Sequence, residues 1–136
     1  IYSSGTLSSE HRFIKSAEPE SPFRVIQPRM KDVLCSVDHW GDHFLIRTNL
    51  NAKNFRLMQT PVDKTTVENW TELIPNRPDV LLEDIDLFND YWVITERKDG
   101  LLQIRVREAV SGKEHYPNQR PISKLWWRRY ALHFNE

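Results

Sequence analysis

The sequence predicts an all-β fold assembled from antiparallel four-stranded units. A repeated ten-residue pattern, strand-length apolar runs bounded by turns, and the poverty of helical signals all point that way. Residues 37–46, Val37-Asp38-His39-Trp40-Gly41-Asp42-His43-Phe44-Leu45-Ile46, return 48 positions later as Ile85-Asp86-Leu87-Phe88-Asn89-Asp90-Tyr91-Trp92-Val93-Ile94. Both copies read apolar, Asp, any residue, aromatic, small, Asp, aromatic pair, aliphatic pair. Self-similarity at a period of roughly 40–50 residues, with four short strands per unit, is the mark of a β-propeller blade. A blade buries its faces against its neighbours, so two or three blades imply something larger.

Taken in order, residues 1–30 read as the end of a first blade. Ile1-Tyr2-Ser3-Ser4 closes one strand, His11-Arg12-Phe13-Ile14 forms the next, and Phe23-Arg24-Val25-Ile26-Gln27-Pro28 ends a strand on proline. The opening Ile1 reads as mid-strand, which suggests a chain cut at its start. Residues 31–76 form a second blade, with strands expected near 31–38, 42–48, 53–60 and 70–74. Residues 77–116 form a third, with strands near 80–87, 90–97, 101–108 and 112–116. In His43–Thr48 and Tyr91–Glu96 the apolar run is continuous for about four residues, as a strand covered on both faces requires. Leu102-Gln103-Ile104-Arg105-Val106-Arg107 alternates strictly, as an outer strand with one wet face should. Asp99-Gly100 is a two-residue hairpin signal. The best helical signal, Thr65 with Glu68, imitates a capping box and makes one turn at most.

Composition bounds the function. Nineteen basic and nineteen acidic residues cancel, so no global field draws the chain to nucleic acid or membrane. The single cysteine, Cys35, cannot form an intrachain disulfide and gives no sign of an oxidising compartment. No run approaches the ~18 apolar residues of a membrane helix and no signal peptide opens the chain, so a cytoplasmic location is expected.

Individual residues invite sharper chemistry, and the bland reading prevails for each. His39 and His43 have zinc-like spacing for a helix, but strand alternation and the Gly41 turn scatter the rings, so no metal site is expected. Cys35, within Val33-Leu34-Cys35-Ser36-Val37, reads as a small buried residue rather than a reactive thiol. Asn69-Trp70-Thr71 fits the glycosylation acceptor pattern by chance. Trp126-Trp127-Arg128-Arg129 interleaves aromatics and cations as single-strand binders do, yet a four-residue cluster on a neutral chain does not make a nucleic-acid site. Asp38 and Asp86 resemble a carboxylate pair, but their shared repeat position marks them as structural.

The segments Ser36-Val37-Asp38-His39-Trp40, Arg47-Thr48-Asn49, Lys53-Asn54-Phe55-Arg56-Leu57 and Trp70-Thr71-Glu72-Leu73-Ile74-Pro75 resemble the N-terminal propeller of the prolyl oligopeptidase family of serine peptidases, in its oligopeptidase B branch. So do Glu83-Asp84-Ile85-Asp86-Leu87-Phe88 and Glu96-Arg97-Lys98-Asp99-Gly100-Leu101. The likeness runs in order from Ile1 to Tyr116. It implies middle blades of a seven-bladed propeller capping an α/β-hydrolase domain, and a role in admitting short peptides while excluding folded proteins. The parent would hydrolyse short peptides after Lys or Arg. The family's nucleophile sits in a Gly-x-Ser-x-Gly elbow followed by an Asp and then a His; no such elbow occurs here, so no catalytic, cofactor or metal residue is assigned and this chain alone is expected to be inactive. The resemblance is read to fail after Tyr116. Residues 117–136 form a basic, aromatic tail, expected to derive from a shifted reading frame or an unrelated appended sequence. The competing function is a free-standing β-rich interaction module. Bare outer faces lead to the expectation that the fragment self-associates.

Overall fold

The computed structural model describes residues 1–5 and 7–117. These form three antiparallel sheets in chain order. The first holds β1 (Tyr2–Ser4), β2 (Ser9–Phe13) and β3 (Arg24–Val25). The second holds β4 (Cys35–Trp40), β5 (His43–Thr48), β6 (Arg56–Pro61) and β7 (Thr71–Ile74); the third holds β8 (Val80–Leu87), β9 (Tyr91–Lys98), β10 (Leu101–Glu108) and β11 (Glu114–His115). In the two complete sheets, spatial order follows chain order.

The repeat in the sequence is a repeat in register. Val37 pairs with Ile46, Asp38 with Leu45 and His39 with Phe44; 48 residues on, Ile85 pairs with Ile94, Asp86 with Val93 and Leu87 with Trp92. Even the turn carbonyls do the same work. The Val62 amide donates to the Asp42 carbonyl at 3.1 Å, and the Ala109 amide to the Asp90 carbonyl at 2.9 Å. The hairpin at Asp99-Gly100 has positive φ at both residues, 51° and 78°, as a type I′ turn demands.

Alternation along β5 decides the packing. Phe44 and Ile46 point to one side and join Ile26 and Met58 in a core shared with the first sheet. There the Phe13 and Phe44 rings meet edge-on, 4.9 Å apart. Leu45 points the other way and joins Leu57, Ile74, Leu82, Ile85, Trp92 and Ile94 between the second and third sheets. The second sheet is therefore covered on both faces, which explains three consecutive buried residues in one strand. Arg47 bolts the second and third sheets together: its Nε donates to the Leu82 carbonyl at 2.9 Å, and its guanidinium lies 4.0 Å from the centre of the Phe55 ring.

Several expectations require correction. Residues 31–34 and 53–55 lie outside the strands; Asp32, at φ 60°, and Phe55, at φ 62°, adopt backbone that no strand accommodates. The helical turn is 3₁₀, spans Val67–Asn69 and is preceded by Thr66, not Thr65, with no side-chain cap. The Thr66 hydroxyl instead donates to Glu68 at 2.5 Å. Trp70 precedes β7, and β11 is two residues long rather than five. Nor is β10 an outer strand with a wet polar face. It pairs on both edges, Arg105 on its polar face is only 7% exposed, and Leu102 on its apolar face is 54% exposed.

Candidate functional site: first-strand carboxylates and a buried ionic network

The first strands β4 and β8 form corresponding edges of the second and third sheets, and their acids meet there. Asp38, Asp84 and Asp86 are all solvent-accessible. Partial burial raises the Asp38 carboxyl above its ordinary range, and the negative charges of Asp84 and Asp86 raise it further, with His11 opposing. Asp38 and Asp86 thus keep the repeat-related positions expected of them, and the structure adds Asp84 as the third member of the group. Among the described residues, no set of three or more His, Cys, Asp and Glu side chains is arranged to hold a metal ion.

The histidines separate as strand alternation requires. His39 lies opposite Phe44, with ring centres 5.6 Å apart. His43 pairs with Trp40 in register and its Nδ1 meets an Asp42 carboxylate oxygen at 2.5 Å. Cys35 is half-buried rather than fully buried; its Sγ lies 3.4 Å from Thr48 Oγ1, and burial pushes the thiol above its ordinary pKa despite that hydrogen bond. A raised thiol is a poor nucleophile at neutral pH. Cys35 also anchors the first two sheets through its backbone: its amide donates to Ser9 Oγ at 2.7 Å, and its carbonyl faces His11 Nε2 at 2.8 Å. Asn69 Nδ2 donates to the Thr66 carbonyl and hydroxyl, so the acceptor-like amide is engaged in its own turn. The Trp126-Trp127-Arg128-Arg129 cluster lies outside the described residues.

The densest polar chemistry was not anticipated from the sequence. Glu96, on β9, is completely buried. Its carboxylate accepts from Arg77, from Arg105 Nη2 at 2.5 Å and from the Tyr116 hydroxyl at 3.2 Å. Arg105 Nη1 reaches on to Glu114 at 2.7 Å, and Arg107 Nη1 reaches the other Glu114 oxygen at 2.8 Å. Burial alone would raise the Glu114 carboxyl, but hydrogen bonds from Arg107 and Arg105 outweigh it and hold it below its ordinary range. Strand geometry builds this cluster, because Arg105 lies opposite Ile94 and Gln103 opposite Glu96 in the β9–β10 ladder. These side chains share the sheet face that carries Trp92 and Ile94. The sequence signal was the alternation itself, which puts Glu96 in phase with two core residues.

Chemically, this site binds charge to charge. The comparisons with known proteins give it a setting. The pattern described as the prolyl oligopeptidase N-terminal β-propeller domain matches residues 1–130. The chain belongs to the prolyl oligopeptidase family. It is 37% identical over 111 residues to dipeptidyl aminopeptidase BI of Pseudoxanthomonas mexicana, covering 81% of this chain and 15% of that protein. It is 36% identical over 107 residues to protease 2 of Moraxella lacunata, covering 78% of this chain and 15% of that protein. The structure of oligopeptidase B from Trypanosoma brucei with covalently bound antipain superposes with a TM-score of 0.77 at 21% identity, covering 88% of this chain and 18% of that one. This last likeness is one of fold.

The three sheets are thus propeller blades, two complete and one in part. The chain spans about 15% of the length of the curated relatives it matches. The family match extends past Tyr116 to residue 130, and residues 118–136, for which an unrelated origin was expected, lie outside the described residues.

Proposed function

We propose that this chain is a non-catalytic section of the propeller that gates a serine peptidase, and that the parent enzyme hydrolyses short peptides after Lys or Arg. The observation that carries the reading is the family match over residues 1–130, joined to a fold of successive four-stranded sheets. A propeller surrounds a central channel, and a channel of fixed width passes extended peptides but not folded proteins. The exposed Asp38, Asp84 and Asp86 on the first-strand edges suit a passage used by cationic peptides, because clefts lined by one sign of charge concentrate the opposite sign. The partner of this section is then the parent's own α/β-hydrolase domain, which supplies nucleophile, base and oxyanion hole. The free-standing interaction module has no comparable support.

The test is a comparison of two proteins with one fluorogenic Arg-containing dipeptide. The 136-residue chain gives no turnover, while the complete parent polypeptide cleaves the dipeptide and spares a folded protein bearing accessible Arg. Turnover by the chain alone, abolished by a serine-reactive inhibitor, would overturn the reading. So would a parent that cleaves the folded protein as readily as the peptide.

A further inference from the structure

Strand β11 is short for a blade strand. It has two register pairs with β10, Val106 with His115 and Arg107 with Glu114, against eight between β10 and β9. Two ladder pairs do not order a segment against its conformational entropy, which costs about 1–2 kcal/mol per residue. Yet residues 113–116 follow a defined path along the sheet, and the side chains show why. Glu114 is gripped at both oxygens, by Arg105 at 2.7 Å and Arg107 at 2.8 Å. Tyr116 donates its hydroxyl to buried Glu96 at 3.2 Å. Arg77, from the connection preceding β8, closes on the same Glu96.

The geometry assigns residues 113–116 as a strap held by charge rather than by the ladder, with Glu96 as its anchor. One anchor fixes three things together: the connection before β8 through Arg77, the third strand through Arg105, and the way out of the blade through Tyr116. Tyr116 also forms one wall of an open surface hollow of about 330 Å³ shared with Arg77, Asp79, Val80, Lys98 and Gln103. Release of Tyr116 would open that wall without touching the apolar core, because Trp92, Ile94, Leu82 and Ile85 are packed against the second sheet.

Limited trypsin digestion of the 136-residue chain reads the strap directly at the bond after Lys113. Two variants each remove one anchor while leaving the β8–β9–β10 ladder intact: Tyr116→Phe, which deletes only the hydroxyl on Glu96, and Arg107→Gln, which frees one Glu114 oxygen. A hydrogen bond to a charged group is worth enough that each variant should speed this cut by roughly tenfold, while cuts after Arg97 and Lys98 in β9 keep their rates. A synthetic peptide of residues 106–117 carrying the same substitutions controls for sequence preference of the protease. If neither variant changes the Lys113 cut, the strap is held by its backbone and the assignment is wrong. An equal rise at every site is global loosening and is equally fatal to it.

Discussion

The second and third sheets have the same register and similar residues at equivalent positions, yet they live in different surroundings. Leu45 and Val93 are 48 positions apart and both lie opposite an Asp. Leu45 is 2% exposed because the third sheet covers it, whereas Val93 is half-buried on a face that no sheet among the described residues covers. Trp40 packs edge-on against Trp92 with ring centres 5.4 Å apart, and its counterpart Phe88 is 37% exposed. The apolar face of β10 shows the same deficit at Leu102. A blade's stability is thus a property of its position in the stack, as in any array whose units are stabilised mainly by their neighbours.

The largest effect is expected where the third sheet has replaced apolar packing with charge. Glu96→Gln removes the countercharge of Arg77 and Arg105 in a fully buried setting, and breaking a buried pair from one side costs about 3–5 kcal/mol. A urea titration should show the loss; a cost below about 1 kcal/mol would mean the network is ornamental. Next in size is the comparison itself. Leu45→Ala should cost about 2–5 kcal/mol as a buried truncation, while Val93→Ala should stay near the ~1 kcal/mol typical of an average substitution. Equal costs would break the claim that the neighbour decides.

An apolar face that no sheet among the described residues covers also has consequences between molecules. Association through the outer face of the third sheet, by burial worth roughly 25 cal/mol per Å², should appear as a dimer or larger species in sedimentation equilibrium at micromolar concentration. Val106→Glu on that face should return it to monomer. The smallest effect concerns pH. Asp38 binds its proton more tightly in the fold than in the unfolded chain. Its contribution is therefore most favourable below the unfolded value of about 3.9 and is lost as pH rises through the raised native pKa. Asp38→Asn should stabilise the chain slightly at pH 7 and leave it unchanged at pH ~3. Thermal melts at the two pH values check the sign.

The repeat makes the ladders legible in the sequence itself, because Val37/Ile85 and Ile46/Ile94 are placed by a period that local propensity cannot mimic. Asp99-Gly100 signals its turn just as clearly, since few other pairs tolerate positive φ at both positions. The strand starts are less legible. Phe55 sits at positive φ, a conformation unusual for an aromatic residue, with its ring under the Arg47 guanidinium. That contact joins residues eight apart across a turn, and nothing near Phe55 signals it. Glu96, Arg105 and Glu114 are invisible as a site because each reads alone as a solvated charge. Only the register of three strands brings them together, on the face that Ile94 and Trp92 give to the core.

Cover from a neighbouring sheet, rather than a blade's own sequence, sets local stability in this molecule. Amide hydrogen exchange on the intact chain tests that claim most directly, because it resolves opening energies strand by strand. The interior amides of β5 and β6 are predicted to exchange only through global unfolding. Those of β10 and β11, on the sheet with one face left uncovered among the described residues, should exchange sooner by local opening. Protection in β10 equal to that in β5, measured at a concentration where the chain is monomeric, would contradict the claim.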